Sequence, residues 1–192
     1  MARVVLPMQI TAIDQEQNLF IVSNMAPPDL VHKILATDWM SLAWQRQPGQ
    51  EGWSRRRINH TEISWIEEWH AYCNGAWADI ALHTGHDMAP YYDTAWWVDE
   101  PGFCCSMHTD GEMPGAMQLT WHSTSPNNGT AFYWSNNGKQ LRHQFPCVPN
   151  TGYIMINKSD KTGFRKLLWH AMLEPVPAET YRLTSYSWIN PL

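Results

Sequence analysis

Charged side chains are scarce in this sequence, and positive charge is in deficit. Asp, Glu, Lys and Arg together make up 16% of its 192 residues, and the formal net charge is −5. Proteins that bind nucleic acid mainly by neutralising phosphates carry an excess of Lys and Arg. The composition therefore argues against a nucleic-acid partner.

Long apolar stretches and cysteine pairs are also missing. No run of about 18 apolar residues occurs, so the sequence predicts neither a transmembrane helix nor a membrane partner. Residues 1–14 lack the basic start and apolar segment of a secretory signal, and we expect a cytoplasmic protein. The four cysteines form no Cys-x-x-Cys pair, which leaves a structural zinc site unsupported and favours reduced thiols. Cys104 shares the strand phase of His108 and is expected to be a small buried hydrophobe.

What the chain does contain favours strands, turns and aromatic packing. It has 44% hydrophobic residues, 12 Trp, 13 Pro and 11 Gly, and its length suits a single domain, residues 1–192. After Gly85, eight short β segments separated by Pro, Gly and Asn turn signals predict a jelly roll or barrel. The predicted strands are 95–98, 103–107, 116–122, 130–135, 140–145, 153–156, 165–169 and 181–189.

The first part of the chain has a different pattern. A short apolar strand is predicted at 18–22, and Pro27-Pro28 opens a helix. Residues 39–50 are predicted to be irregular. A second helix is expected to start near Thr61 as its N-cap, because apolar residues follow at spacings of three and four. We therefore expect residues 1–90 to be a mainly helical support region and residues 91–192 the jelly-roll core.

The most informative motif is His108-Thr109-Asp110, followed by His170 and Arg182. Residues two apart on an extended segment point to the same side, so His108 and Asp110 can reach one metal ion. Two imidazoles and a carboxylate suit one face of iron(II) and leave positions for a co-substrate and dioxygen. A later strand would have to bring His170 beside them, and Arg182 would offer a charged fork to the far carboxylate of a dicarboxylic acid.

Other polar clusters have weaker interpretations. His83, His86 and Asp87 stand at a predicted helix end, where histidines more often cap carbonyl groups than bind metal. The run 55–57, three arginines, is typical of a solvated face, with guidance of an acidic substrate as the alternative. Most Trp residues are expected in the core. A subset drawn from Trp96, Trp97, Trp121 and Trp134 could line a substrate groove, and the sequence does not distinguish among them.

Five segments in this order resemble a known family. They are His108-Thr109-Asp110, the turn and strand Asn128-Gly129-Thr130-Ala131-Phe132-Tyr133, residues 149–156, Trp169-His170, and Arg182-Leu183-Thr184. The pattern resembles the iron(II)- and 2-oxoglutarate-dependent dioxygenases and is most similar to the prolyl-hydroxylase-like branch. It runs from about residue 96 to residue 188, roughly half of the chain.

This resemblance implies a fold and a set of ligands. The fold would be a mostly β double-stranded β-helix, a jelly-roll variant, packed against N-terminal support helices. His108, Asp110 and His170 would bind Fe(II), Arg182 would bind the distal carboxylate of 2-oxoglutarate, and the Thr184 hydroxyl would assist. The other expected reactants are O2 and, as an optional reductant, ascorbate.

The implied activity is hydroxylation of an unactivated C–H bond with release of succinate and CO2. The expected partner is a peptide or protein with a prolyl or other peptidyl target, or a small-molecule substrate such as a free amino acid. Asp110 favours hydroxylation over halogenation, because halogenating members have a small residue in that position. A non-catalytic jelly-roll binding module is the alternative of a different class, and a zinc or nickel cupin-type enzyme is less supported. The sequence does not indicate the oligomeric state.

Overall fold

The computed structural model describes most of the chain. The described residues are 7–16, 18–45, 54–85, 94–110, 115–123, 125, 129–159, 165–166 and 168–189. The parts of the chain outside these ranges include His86 and Asp87 of the second histidine cluster. In the described part, no helix combines the length and apolar character needed to cross a membrane.

Two α-helices lie in the N-terminal part of the chain. Helix α1 (Pro28–Ala36) begins with a proline in its first turn, where the missing N–H costs no hydrogen bond. Helix α2 (Ile66–Thr84) ends at Gly85, which adopts the left-handed conformation with φ 68°. The prediction that this helix starts near Thr61 was wrong, because His60–Glu62 forms a separate 3-10 turn. Asn59 rather than Thr61 caps that turn, its Oδ1 accepting a hydrogen bond from Thr61 N at 3.2 Å.

The described residues form fourteen strands in three antiparallel sheets. In chain order they are β1 (Gln9–Ala12), β2 (Leu19–Ser23), β3 (Trp44–Gln45), β4 (Arg55–Ile58), β5 (Thr94–Asp99), β6 (Cys105–His108), β7 (Gly115–His122), β8 (Ala131–Tyr133), β9 (Leu141–Gln144), β10 (Thr151–Ile156), β11 (Lys158–Ser159), β12 (Arg165–Lys166), β13 (Trp169–Met172) and β14 (Arg182–Ile189). The larger sheet has the order β1-β2-β10-β7-β14-β5-β4-β3, and the smaller has the order β6-β13-β8-β9. Within the part of the chain that the structure describes, strands β11 and β12 pair only with each other.

The two faces of the larger sheet are covered differently. One face packs against both helices, and its centre is a group of interlocking tryptophans. Trp96 of β5 stacks on Trp39, with ring centroids 4.9 Å apart, and meets Trp69 of α2 edge-on at 5.4 Å. The opposite face meets the smaller sheet through a second core that includes Phe132 of β8 and Tyr153 of β10. Alternation along the strands therefore separates a helix-facing core from an inter-sheet space.

Most sequence-predicted strands are present, with two local differences. The segment predicted at 165–169 is split between two strands: β12 pairs with β11, and β13 starts at Trp169. The region 1–90 contains both predicted helices, but it also contributes β1 to β4 to the larger sheet. Strands β1, β3 and β4 were missed because they are only two to four residues long and one of them is rich in arginine.

Candidate metal centre

The three predicted ligand residues come together at one edge of the smaller sheet. His108 is the last residue of β6, and His170 is the second residue of β13. These strands pair antiparallel with His170 directly opposite His108, and their ring centroids are 4.3 Å apart. Asp110 follows two residues after His108. The ligand-capable atoms of the three side chains all lie within 4.8 Å of one another.

Backbone carbonyls orient both imidazoles. His108 Nδ1 lies 2.7 Å from the Ser106 carbonyl oxygen, and His170 Nδ1 lies 2.9 Å from that of Leu168. A carbonyl can only accept, so each Nδ1 carries a hydrogen and each Nε2 is the nitrogen turned towards Asp110. Both Nε2 atoms lie 3.5 Å from Asp110 Oδ1. Three donors on one ion at about 2.1 Å would lie about 3 Å apart, so this spacing needs little adjustment to bind a metal.

Hydrogen bonds keep Asp110 ionised. Burial alone would raise the pKa of this carboxyl, but hydrogen bonds from His108 and His170 hold it well below its usual value. Tyr186 of β14 adds a third, donating from Oη to Asp110 Oδ2 at 2.6 Å. The partnership with Asp110 also raises the pKa of His108 to about 10. The cluster therefore attracts positive charge, which is what a metal ion brings.

A cavity of about 210 Å³ opens beside this cluster. Its wall combines the three ligand-capable residues with aromatic, polar and cationic side chains from both sheets. The lining residues are Arg55, Trp97, Phe103, Cys105, His108, Asp110, Gln118, Thr130, Tyr153, His170, Ala171, Met172, Arg182, Tyr186 and Trp188. Tyr153 Oη donates to Gln118 Oε1 at 3.0 Å, which fixes two polar groups on the wall.

Arg182 lines the same cavity, and its guanidinium also forms an ion pair with Asp99. Its Nε and Nη2 donate to Asp99 Oδ2 at 2.8 and 2.6 Å. Burial disfavours the charged guanidinium, yet the Asp99 charge more than offsets this and raises the pKa of Arg182. The sequence indicated Arg182 but gave no sign of Asp99, since a single acidic residue at the end of a strand forms no motif.

Thr184 lies two residues further along β14 and faces the same side of the sheet as Arg182. It is fully buried, and its Oγ1 has no hydrogen-bond partner among the residues that the structure describes. A buried hydroxyl is normally paired, because leaving it unpaired costs free energy. Thr184 is not among the residues that line the cavity, but it lies directly opposite Trp97, which is one of them.

Several other sequence expectations have a definite outcome. Cys104 was expected to be buried beside His108, but it is exposed. A bulge between β6 and β13 pairs Met172 with Cys105, so Cys105 enters the cavity instead, with Sγ 3.6 Å from His108 Nδ1. All four cysteines are free thiols, as predicted. His83 caps its own helix by contacting the Asp79 carbonyl oxygen at 2.7 Å.

The four tryptophans named as groove candidates lie in different environments, and so do the arginines of the run 55–57. Trp97 lines the cavity, whereas Trp96 and Trp121 are buried in the helix-facing core and Trp134 is 40% exposed. The interpretation of residues 55–57 as a solvated face was wrong for Arg55, which lines the cavity. Asp99 and Tyr186 are thus site residues that sequence reasoning missed, and Arg55 was considered only as part of the arginine run. The strand pairing that brings them together was not visible in the sequence.

The residues present fit a divalent first-row transition metal and an anionic co-substrate. Two imidazole nitrogens and one carboxylate oxygen form the donor set that iron(II) oxygenases use, and they leave the remaining coordination positions open. Arg182 lines the cavity and provides donors suited to a carboxylate, whereas Thr184, whose hydroxyl is unpaired among the described residues, is not part of the lining.

Comparisons with known proteins show which solved structures share this fold. No protein-family model matches the sequence, and no curated protein sequence matches it either. Solved structures do match. A prolyl-4-hydroxylase from Pseudomonas putida superposes with a TM-score of 0.60 at 13% identity, covering 90% of this chain and 92% of that chain. A prolyl hydroxylase from Trichoplax adhaerens, solved with a hypoxia inducible factor peptide fragment, gives 0.65 at 7% identity, covering 90% and 83%.

A third structure carries the ligands that the site suggests. HygX from Streptomyces hygroscopicus, solved with nickel and 2-oxoglutarate bound, superposes with a TM-score of 0.62 at 10% identity, covering 94% of this chain and 88% of that chain. At these identities the similarity establishes the fold. The resemblance inferred from the sequence is thus confirmed at the level of the fold, which this chain shares with the two prolyl hydroxylases and with HygX.

Proposed function

We propose that this protein is an Fe(II)- and 2-oxoglutarate-dependent oxygenase that hydroxylates an unactivated C–H bond, with release of succinate and CO2. The observation that carries the proposal is the convergence of His108 Nε2, His170 Nε2 and Asp110 Oδ1 on one point. That point lies in a cavity which Arg182 also lines. Separate structural roles for these residues would not require such convergence.

The strand order supports a double-stranded β-helix as the finer description of the fold. From β5 to β8 the chain passes alternately between the two sheets, and after β9 it returns to the larger sheet at β10. Strands β13 and β14 repeat the alternation and carry His170 and Arg182. Helices α1 and α2 pack on the outer face of the larger sheet, as support helices would.

In the proposed reaction, the bound Fe(II) and 2-oxoglutarate would supply the oxidising chemistry with O2. The side chains of this protein would bind and orient. His108, Asp110 and His170 would hold the metal, and Tyr186 would keep Asp110 turned so that Oδ1 faces it. Arg182 and Thr184 would hold the distal carboxylate of the co-substrate. Trp97, Phe103 and Trp188 would limit the access of water to the reacting centre.

The primary substrate is proposed as a peptide or protein side chain, prolyl or other, or a small molecule such as a free amino acid. Structures with this fold include one that binds a peptide fragment and one solved with hygromycin B. The same metal ligands would serve either class. A peptide panel tested beside an amino-acid panel, with succinate release as the readout, would separate them.

Anaerobic titration tests the proposal directly. Metal-free protein given Fe(II) and then 2-oxoglutarate should develop a visible metal-to-ligand charge-transfer band. His108→Ala should abolish the band, whereas His32→Ala, an exposed histidine on α1, should leave it intact. Wild-type protein that shows no band would sink the proposal and favour a non-catalytic binding module.

A further inference from the structure

The arginine run 55–57 lies on β4, beside the strand that carries Asp99. Successive residues of a strand point to opposite faces, so the run divides. Arg55 points into the cavity, where its guanidinium lies 4.7 Å from the ring centroids of both Trp97 and Phe103. Arg56 points to the other face, pairs with Glu100 and lies over Trp44. Only one of these two neighbours can therefore contact a molecule in the cavity.

Arg55 and Arg182 are joined through one carboxylate. Asp99 is directly opposite Arg55 in the pairing of β4 with β5, and directly opposite Arg182 in the pairing of β14 with β5. Its Oδ1 accepts from Arg55 Nε at 2.6 Å, and its Oδ2 accepts from Arg182. Asp99 is fully buried. The three side chains form one row across three strands, and both guanidiniums line the same cavity.

Along β14 this row is set apart from the residue that contacts Asp110. Arg182 precedes Tyr186, the partner of Asp110, by four residues on β14, a separation of about 13 Å along an extended strand. A diacid that bound the metal through its keto acid end would extend its other carboxylate towards Arg182. Since Arg55 shares Asp99 with Arg182, it lies at the same end of the cavity.

The charges of the row call for an anion. Two guanidiniums and one carboxylate leave one positive charge in a largely buried setting, which is costly unless a counter-ion is present. Bound Fe(II) would add two positive charges, and a dianion such as 2-oxoglutarate would neutralise them.

We infer that Arg55 is a second binding residue for the distal carboxylate of 2-oxoglutarate, forming with Arg182 a pair of guanidiniums that Asp99 holds in place. This inference rests on the proposed function. It assigns a role to an arginine outside the segments that carry the family resemblance. It also makes Arg55 a determinant of the preference for a dicarboxylic oxo acid over a monocarboxylic one.

The test is an anaerobic titration of 2-oxoglutarate into Fe(II)-loaded protein, followed by the charge-transfer absorbance. Removing one charge-assisted hydrogen bond should weaken binding by about 10- to 100-fold in Arg55→Gln. Arg56→Gln is the matched control, because the same residue type one position away faces the other side, and its dissociation constant should stay within about twofold. Arg55→Lys, which keeps the charge and loses the fork, should give an intermediate value.

A second ligand distinguishes direct binding of the distal carboxylate by Arg55 from structural support of the cavity wall. 2-Oxopentanoate has the same chain length as 2-oxoglutarate and lacks the distal carboxylate, so Arg55→Gln should leave its binding unchanged. Equal weakening of both ligands would mean that Arg55 only supports the cavity wall, and would overturn the inference. Unchanged 2-oxoglutarate binding in both Arg55 variants would also overturn the inference about Arg55. In that case a charge-transfer band in the wild-type protein would still support the proposed function. A wild-type protein without a band would overturn both.

Discussion

Tyr186 donates a hydrogen bond to Asp110, with Oη 2.6 Å from Oδ2, and so leaves Oδ1 as the oxygen that faces both histidines. Burial and the neighbouring Asp110 charge raise the pKa of Tyr186 well above its ordinary value, so the phenol remains a donor across the physiological range. A group that orients a metal ligand in this way typically affects metal affinity.

We therefore predict that Tyr186→Phe weakens Fe(II) binding by about 10- to 100-fold. The phenylalanine keeps the ring and removes only the donor, so the variant should fold. Metal affinity can be measured by competition with a chelator under anaerobic conditions. Tyr181→Phe is the control, since Tyr181 stacks on His122 away from the ligands and its loss of a hydroxyl should leave metal affinity unchanged. Equal affinities for all three proteins would rule out an orienting role for Tyr186.

Arg182→Ala should impair 2-oxoglutarate binding far more than Fe(II) binding. The variant removes a donor proposed for the co-substrate but touches none of the three metal ligands. It also leaves the buried Asp99 with fewer partners, so the free energy of unfolding should fall by about 2 to 5 kcal/mol. Separate titrations with metal and co-substrate, together with urea unfolding, measure the three quantities. A parallel loss of metal and co-substrate affinity would contradict the role proposed for Arg182.

Thr184→Val distinguishes a ligand-binding hydroxyl from a structural one. The two side chains have similar shape, and the Thr184 Oγ1 is buried without a partner among the described residues. Replacing it should therefore raise the free energy of unfolding of the metal-free protein by about 1 kcal/mol. At the same time 2-oxoglutarate binding should weaken severalfold. A destabilised variant with unchanged co-substrate affinity would show that the hydroxyl has a structural partner instead.

Gly152 is required by the close approach of β10 and β7. A Cβ atom at this position would lie 1.8 Å from the Gln118 carbonyl oxygen, which belongs to the backbone and cannot move aside cheaply. We expect Gly152→Ala to lower the free energy of unfolding by about 3 kcal/mol or more. Gly75 of α2 has nothing within 4 Å of its Cβ position, so Gly75→Ala should instead stabilise by about 0.5 to 1 kcal/mol. Thermal unfolding of both variants compares the two effects.

Stability should decrease in alkali. Burial raises the pKa of the Tyr153 phenol and of the Cys73 thiol, which means that folding favours their neutral forms. Their contribution is fully present below the unfolded values, 10.0 for Tyr and 9.0 for Cys, and is lost as the pH rises above them. Urea midpoints measured from pH 8 to 11 should therefore fall, starting near pH 9. Tyr153→Phe should fall less steeply, and an unchanged slope would exclude Tyr153 as a cause.

The sequence was sufficient for the parts of the site that follow from local spacing. His108 and Asp110 are two residues apart on an extended segment, and the strand-like flanks of His170 and Arg182 are strong signals. The strands of the second half could be located because turn residues separate them. The exact bounds of β6 could not be located from the sequence. The bulge that brings Cys105 rather than Cys104 to the cavity depends on the pairing with β13.

Residues whose role depends on long-range strand pairing could not be predicted from the sequence. Asp99 joins Arg55 and Arg182 only because β4 and β14 flank β5, and that strand order is set by long-range packing rather than by any local pattern. Tyr186 of β14 contacts Asp110, which follows β6 of the smaller sheet, so this contact also depends on long-range packing. Even the tryptophans that line the cavity could not be separated from those in the core. Both groups occur on β5, in neighbouring positions with opposite directions.

The alternation of β4 also makes the cavity sensitive to the length of the chain around it. If β4 slipped by one residue against β5, Arg56 would turn inward and Arg55 would turn outward. Asp99 would then face a different arginine, held at a different angle. A single inserted or deleted residue near this strand would thus rearrange the charge at the far end of the cavity while leaving every metal ligand unaltered.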